Sequence, residues 1–112
     1  MYIGIDLGTS GIKVILLGEN GKVIDSASAE LVVSRPQPLW SEQNPEHWWL
    51  ALQSCMDQLS QRQSLASVKA IGLAGQMHGA TLLDEQNNII RPAILWNDGR
   101  SFEQCQQLQL KV

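Results

Sequence analysis

The first thirteen residues run through Ile3-Gly4-Ile5-Asp6-Leu7 into Gly8-Thr9-Ser10-Gly11 and then Lys13, an apolar strand pattern that turns sharply on glycines and resumes as Val14-Ile15-Leu16-Leu17. Gly8 and Gly11 permit backbone angles closed to other residues and let the chain approach a ligand closely. Thr9 and Ser10 bring hydroxyls and amide donors to the same turn, and Lys13 adds a positive charge. Asp6 is the discordant member, because a carboxylate beside phosphates repels them unless a cation such as Mg²⁺ lies between. Two readings of these residues stand: a cradle for a metal-nucleotide complex, or a β-hairpin whose glycines satisfy the turn while Asp6 caps it. The spacing matches neither the P-loop nor the dinucleotide-binding turn, both of which lead into a helix, whereas strand follows here.

Gly18-Glu19-Asn20-Gly21 punctuates the chain, and Lys22 to Ala27 resumes a β-like pattern, so the opening predicts three strands joined by tight turns. With 112 residues, 44% of them hydrophobic, one small core is available and two lobes are not. The formal charge of -3, from eight basic and eleven acidic residues scattered singly, offers no basic stripe and argues against nucleic acid or an anionic membrane as partner. No apolar run approaches the roughly 18 residues needed to cross a bilayer, and no signal peptide is recognisable, so a cytoplasmic protein is expected. Cys55 and Cys105 fit that compartment as reduced thiols without metal-ligand spacing.

Arg35 to Asn44, with two prolines and many polar residues, predicts an extended surface loop. A helix is expected next, with Asn44 as N-cap, Pro45 in the first turn and Glu46 at the positive end. Trp48, Leu52, Cys55 and Leu59, with Trp49 and Met56 alongside, form one apolar stripe that is read as core. Val68 to Ala74 predicts a second buried strand, which delivers Gly75-Gln76-Met77-His78-Gly79 at its C-terminal end. Ligands of α/β sheets sit where strands end. Gln76 and His78 can donate and accept hydrogen bonds there, and Met77 can give apolar contact. His47 lies on the helix, so a metal site through His78 is not expected.

Ala80 to Asp84, a turn at Glu85 to Asn88, and Ile89 to Trp96 predict a further hairpin. It ends at Trp96-Asn97-Asp98-Gly99-Arg100, an aromatic plane joined to an amide, a carboxylate and a guanidinium, the mixture that sugars require. The alternative is that Trp96 belongs to the core and Asn97-Asp98-Gly99 caps the last helix. That helix is foreshadowed by the apolar stripe Phe102, Cys105, Leu108 and Val112, which stops without a C-cap signal.

Taken in order, Asp6-x-Gly8-Thr9-Ser10, Gly75-Gln76-Met77-His78-Gly79 and Ala93-Ile94-Leu95-Trp96-Asn97-Asp98-x-Arg100 resemble the corresponding segments of the FGGY carbohydrate kinases, most of all their xylulose-phosphorylating branch. The resemblance runs the length of the chain. It implies an α/β fold, the actin/Hsp70/sugar-kinase-like (ribonuclease H-like) nucleotide-binding half-domain, left incomplete. Residues 1–112 would be the N-terminal part of the first kinase domain, with the second lobe absent. It further implies ATP and Mg²⁺ as cofactors, D-xylulose as the sugar, and a homodimer as an open possibility.

By this resemblance Asp6 serves catalysis and the metal, and Gly8, Thr9, Ser10 and Lys13 lie near the phosphates. Met77 and His78 contact the ketose, with Gln76, Trp96 and Asp98 as further sugar contacts. Relatives acting on glycerol carry a charged Arg-Glu pair where Met77-His78 stands, which favours a ketopentose over a triol, with ribulose and gluconate kinases as close competitors. The family's general base is an aspartate expected beyond Val112. Neither Asp84 nor Asp98 replaces it convincingly, so the 112 residues alone are expected to be inactive. An actin- or Hsp70-type ATPase and a small non-catalytic binding module are the rival classes.

Overall fold

The computed structural model describes all residues 1–112, which pack as two compact units, Met1–Val32 with Pro45–Gln76 and Val33–Asn44 with Met77–Val112. In the first unit β1 (Tyr2–Leu7), β2 (Gly11–Leu17) and β3 (Val23–Glu30) form the expected antiparallel meander. A fourth strand, β5 (Ala70–Gly75), runs parallel to β1, giving the order β3-β2-β1-β5. The helix α1 (Pro45–Arg62) makes the crossover between antiparallel and parallel parts.

Period-two alternation decides what each face does. Ile3, Ile5, Ile12, Val14 and Leu16 point to one face and are buried against Ala51, Cys55 and Leu59 of α1. Trp48, Leu52 and Met56 pack at the margin of this core, whereas Trp49 is exposed. The helix is further pinned by Arg62, which donates to both Asp25 oxygens on β3 at 3.0 and 3.2 Å and to the Ser26 carbonyl at 2.9 Å. That guanidinium holds the Asp25 carboxyl down to about 2. Leu59 is fully buried. Leu59→Ala is therefore expected to destabilise the chain by about 2–5 kcal/mol in urea unfolding, and Leu73→Ala on β5 by less than about 0.5 kcal/mol.

The contrast rests on a correction. The strand around Val68 to Ala74 forms, but every residue of β5 is exposed, with Leu73 at 80%. It is an edge strand paired on one side by β1, and α1 packs over β2 and β3 rather than over it. An apolar run alone cannot distinguish a central strand from an edge strand.

In the second unit β4 (Glu42–Gln43) pairs antiparallel with β6 (Ala93–Ile94). This corrects the expected surface loop, because Ser41, Glu42 and Gln43 are buried. The expected hairpin between Ala80 and Trp96 is reduced to isolated bridges, Ala80 with Ile94 and Leu83 with Ile89. Its turn does form: the Asp84 carboxylate accepts the Gln86 and Asn88 amides at 2.9 and 2.8 Å. Pro92 supplies no amide to a longer ladder. The last helix, α2 (Phe102–Gln109), buries none of its residues, and its C-cap, Leu110, keeps helical angles. No helix is long and apolar enough to cross a membrane.

Candidate functional site

The turn between β1 and β2 is held from both sides. The Gly8 amide donates to the Gly11 carbonyl at 2.9 Å, and the Leu31 amide, just past β3, donates to the Ser10 carbonyl at 3.0 Å. A Cβ at Gly11 would stand 2.9 Å from the Ala29 carbonyl oxygen, so only glycine lets β3 pass this close. The tip carrying Thr9 and Ser10 is thereby fixed rather than free to flap.

Asp6 and Lys13 are direct cross-strand partners in the β1–β2 register. Their neighbours Ile5 and Val14 turn into the core, so both charged side chains lie on the opposite face, and both are exposed. This face holds a concavity of about 590 Å³ whose floor includes Gly4, Asp6, Lys13, Gly72 and Ala74. Gly4 and Gly72 are register partners across β1 and β5; the Ile15 side chain lies over Gly4, whereas nothing covers Gly72. No cluster of three or more His, Cys, Asp or Glu is present. Magnesium fits such a donor set, since it is commonly held by one or two carboxylates with phosphate oxygens and waters completing its shell. Lys13 has the chemistry to meet an anionic group such as a phosphate as a point charge.

Beyond β5 the Gln76 amide continues the pairing by donating to the Leu7 carbonyl at 2.9 Å. The Thr9 hydroxyl donates to Gln76 Oε1 at 3.0 Å, a contact spanning 67 positions in sequence. Asp6, Gly8, Thr9, Ser10, Lys13 and Gln76 therefore share the first unit. Met77, His78, Trp96 and Asp98 belong to the second. Met77 is 73% exposed, and His78 has φ of 60°, a left-handed conformation that costs a non-glycine residue of order 1 kcal/mol and clusters at functional sites.

Trp96 is exposed, so the core reading of that residue fails. Asp98 does not cap α2 either, whose N-cap is Ser101. Its carboxylate accepts the Ser41 amide at 2.7 Å, the Arg100 amide at 3.0 Å, and the Arg100 guanidinium at 2.7 to 3.0 Å. Arg100 also donates to Glu42 at 2.8 Å and stacks 3.7 Å above the Trp40 ring, while Arg91 reaches Glu42 at 2.6 Å. Glu42 and Trp40 were not legible as site-forming residues. Their one signal is a tryptophan and a carboxylate in a loop otherwise read as solvated, and the partners of Glu42 lie 49 and 58 positions away.

Arg100 holds the Asp98 carboxyl well below the usual carboxylate range. The folded chain then binds fewer protons than the unfolded chain near pH 4. The resulting stabilisation is complete above the unfolded value of about 3.9 and is lost as pH falls below it. Asp25, also depressed, acts in the same direction. Melting followed by circular dichroism should show the transition falling steeply below about pH 4. Asp98→Asn should lower it at neutral pH and flatten that acid limb.

Comparison with known proteins adds a lineage. The model of the N-terminal domain of the FGGY family of carbohydrate kinases matches residues 1–112. The chain is 62% identical to a xylulose kinase of Klebsiella pneumoniae and 61% identical to one of Escherichia coli (strain K12), in each case over all of its 112 residues. It spans 23% of the length of both relatives. Its fold superposes with a TM-score of 0.94 on the crystal structure of a xyloylose kinase from Brucella ovis, at 45% identity, covering 98% of this chain and 24% of that one.

Proposed function

Because the chain belongs to the FGGY family of carbohydrate kinases, with the mixed α/β architecture of its sugar-kinase neighbours, we propose that it is the N-terminal part of a longer, cytoplasmic enzyme. That enzyme transfers the γ-phosphoryl group of Mg²⁺-ATP to the terminal hydroxyl of D-xylulose. The observation that carries the reading is the pairing of Asp6 with Lys13 on one open sheet face beside the glycine turn.

Bound Mg²⁺ would neutralise charge building on the transferred group and the leaving diphosphate. Asp6 would hold that metal from the end of β1. Gly8, Thr9 and Ser10 offer backbone donors to the phosphates, Ser10 adds its hydroxyl, and Lys13 supplies a positive charge, so this part of the chain positions and neutralises. The sugar falls to Gln76, Met77, His78 and Trp96. Met77 and Trp96 offer apolar surface to C–H faces, and Gln76 and His78 offer hydrogen bonds to hydroxyls. Asp98 contributes through the segment that carries Trp96, since its own acceptor sites are occupied by Arg100 and Ser41. Met77-His78 in place of an Arg-Glu pair, together with the names of the relatives, favours a ketopentose over a triol. The base that takes the hydroxyl proton is assigned to a carboxylate outside these 112 residues. Phosphorus NMR of the product made by the complete protein tests the reaction: a terminal 5-phosphate ester of D-xylulose supports it, and a product phosphorylated elsewhere overturns it.

A further inference from the structure

We infer that Arg100 and Glu42 are positioning residues for the sugar: together they hold the turn that presents Trp96, and the fit of the ketose depends on that hold. The inference rests on the proposal above that Trp96 meets a C–H face of the sugar.

The turn is short. The Asp98 amide donates to the Leu95 carbonyl at 3.0 Å, which leaves Trp96 and Asn97 at its corner. Leu95 and the Asp98 side chain, at the two ends, are buried, whereas Trp96 is 57% exposed. Ser41 grips both ends, because its carbonyl accepts the Leu95 amide at 3.0 Å and its amide donates to Asp98 Oδ2 at 2.7 Å. A third hold lies next to these, where the Gly99 amide donates to the Leu39 carbonyl at 2.7 Å. Leu39 has φ of 68°, a conformation that a leucine keeps only where its surroundings impose it.

The grip at the Asp98 end finishes on a side chain, so it lasts only while that carboxylate keeps its direction. Arg100 enforces the direction. Its Nε reaches both Asp98 oxygens at 2.9 and 3.0 Å, and its Nη2 reaches Oδ2 at 2.7 Å. The same Nη2 donates to Glu42 Oε1 at 2.8 Å, and the guanidinium lies 3.7 Å from the centre of the Trp40 ring. Arg91 brings a second cation to Glu42 at 2.6 Å, so two carboxylates face two guanidiniums and the cluster is charge-balanced. A guanidinium fork fixes geometry as well as distance. Lysine in its place would keep the charge and lose both the fork and the stacking on Trp40. The place where Trp96 leaves the backbone is thus set by residues that need not touch the sugar.

A double-mutant cycle in the complete protein tests this, with the KM values for D-xylulose and ATP as readouts. Arg100→Lys and Glu42→Gln should each raise the sugar KM by about fivefold or more and leave the ATP KM within about threefold. Trp96→Ala should raise the sugar KM by about tenfold, and adding Arg100→Lys to it should change that value by less than about twofold, because the group being positioned is already gone. A role confined to folding would move both KM values and act equally with or without Trp96, which would overturn the inference. Thermal melts establish that each variant is folded, and Glu42→Gln carries the cycle if Arg100→Lys does not fold. Failure of both to fold makes the cluster a folding element and overturns the positioning role, as does a wild-type sugar KM in either folded variant. A wild-type sugar KM in Trp96→Ala removes Trp96 from the sugar site, and overturns that part of the proposed function together with the inference.

Discussion

Asp6→Ala in the complete protein is expected to lower kcat by about 10²–10³-fold while the KM for D-xylulose moves by less than about threefold. The carboxylate projects from the face of β1 opposite the core, so its removal leaves no cavity. On the proposed assignment, the variant would lose the protein's own hold on the metal, whose charge matters most as the phosphoryl group leaves ADP. Interactions made chiefly in the transition state reduce kcat and kcat/KM together and leave ground-state sugar binding in place. A coupled ADP-release assay with the sugar titrated at saturating Mg²⁺-ATP measures both constants. Normal turnover in the variant would remove Asp6 from the site.

Met77→Ala and His78→Ala should do the converse, raising the KM for D-xylulose by about tenfold or more while the KM for ATP stays within about threefold. Met77 is exposed and His78 sits in a left-handed turn, so neither supports the core. The same exposure separates this prediction from a packing role, which would show as a lowered melting temperature with both KM values disturbed. His78→Gly adds a second handle, because glycine relieves the positive φ while removing the imidazole. That variant should melt no lower than the wild type and still bind sugar poorly.

The contrast between the two predictions follows what sequence could and could not reveal. The hairpin was legible because its information is local: alternation in β1 and β2 sets the register, and the register puts Asp6 opposite Lys13. The helix was equally legible from its stripe and its Asn44-Pro45 start, although Ala51, small and inconspicuous, proved as buried as the larger residues. Exposure of β5 was not legible, since Ile71 and Leu73 carry the same apolar signature whether or not anything covers them.

The polar cluster of the second unit was hidden for a different reason. Glu42 reads as a solvated loop charge until Arg91 and Arg100 are brought to it from 49 and 58 positions away. The same holds for Thr9 and Gln76, each of which is identifiable alone as a polar residue near a turn. Only the parallel pairing of β5 with β1 joins them, and parallel pairing is a long-range event that local pattern does not specify.

The central claim is that a nucleotide-phosphate hairpin and the Gln76-Met77-His78 ketose-contact segment serve one sugar-phosphorylating reaction. The most direct measurement is ADP release by the complete protein across D-xylulose, D-ribulose, gluconate and glycerol at matched concentrations, with Mg²⁺ present and after chelation. The account predicts the highest kcat/KM on D-xylulose, by about tenfold or more over the others, and loss of turnover on chelation. Equal or greater kcat/KM on glycerol or gluconate, or ADP release that ignores both sugar and metal, would contradict it.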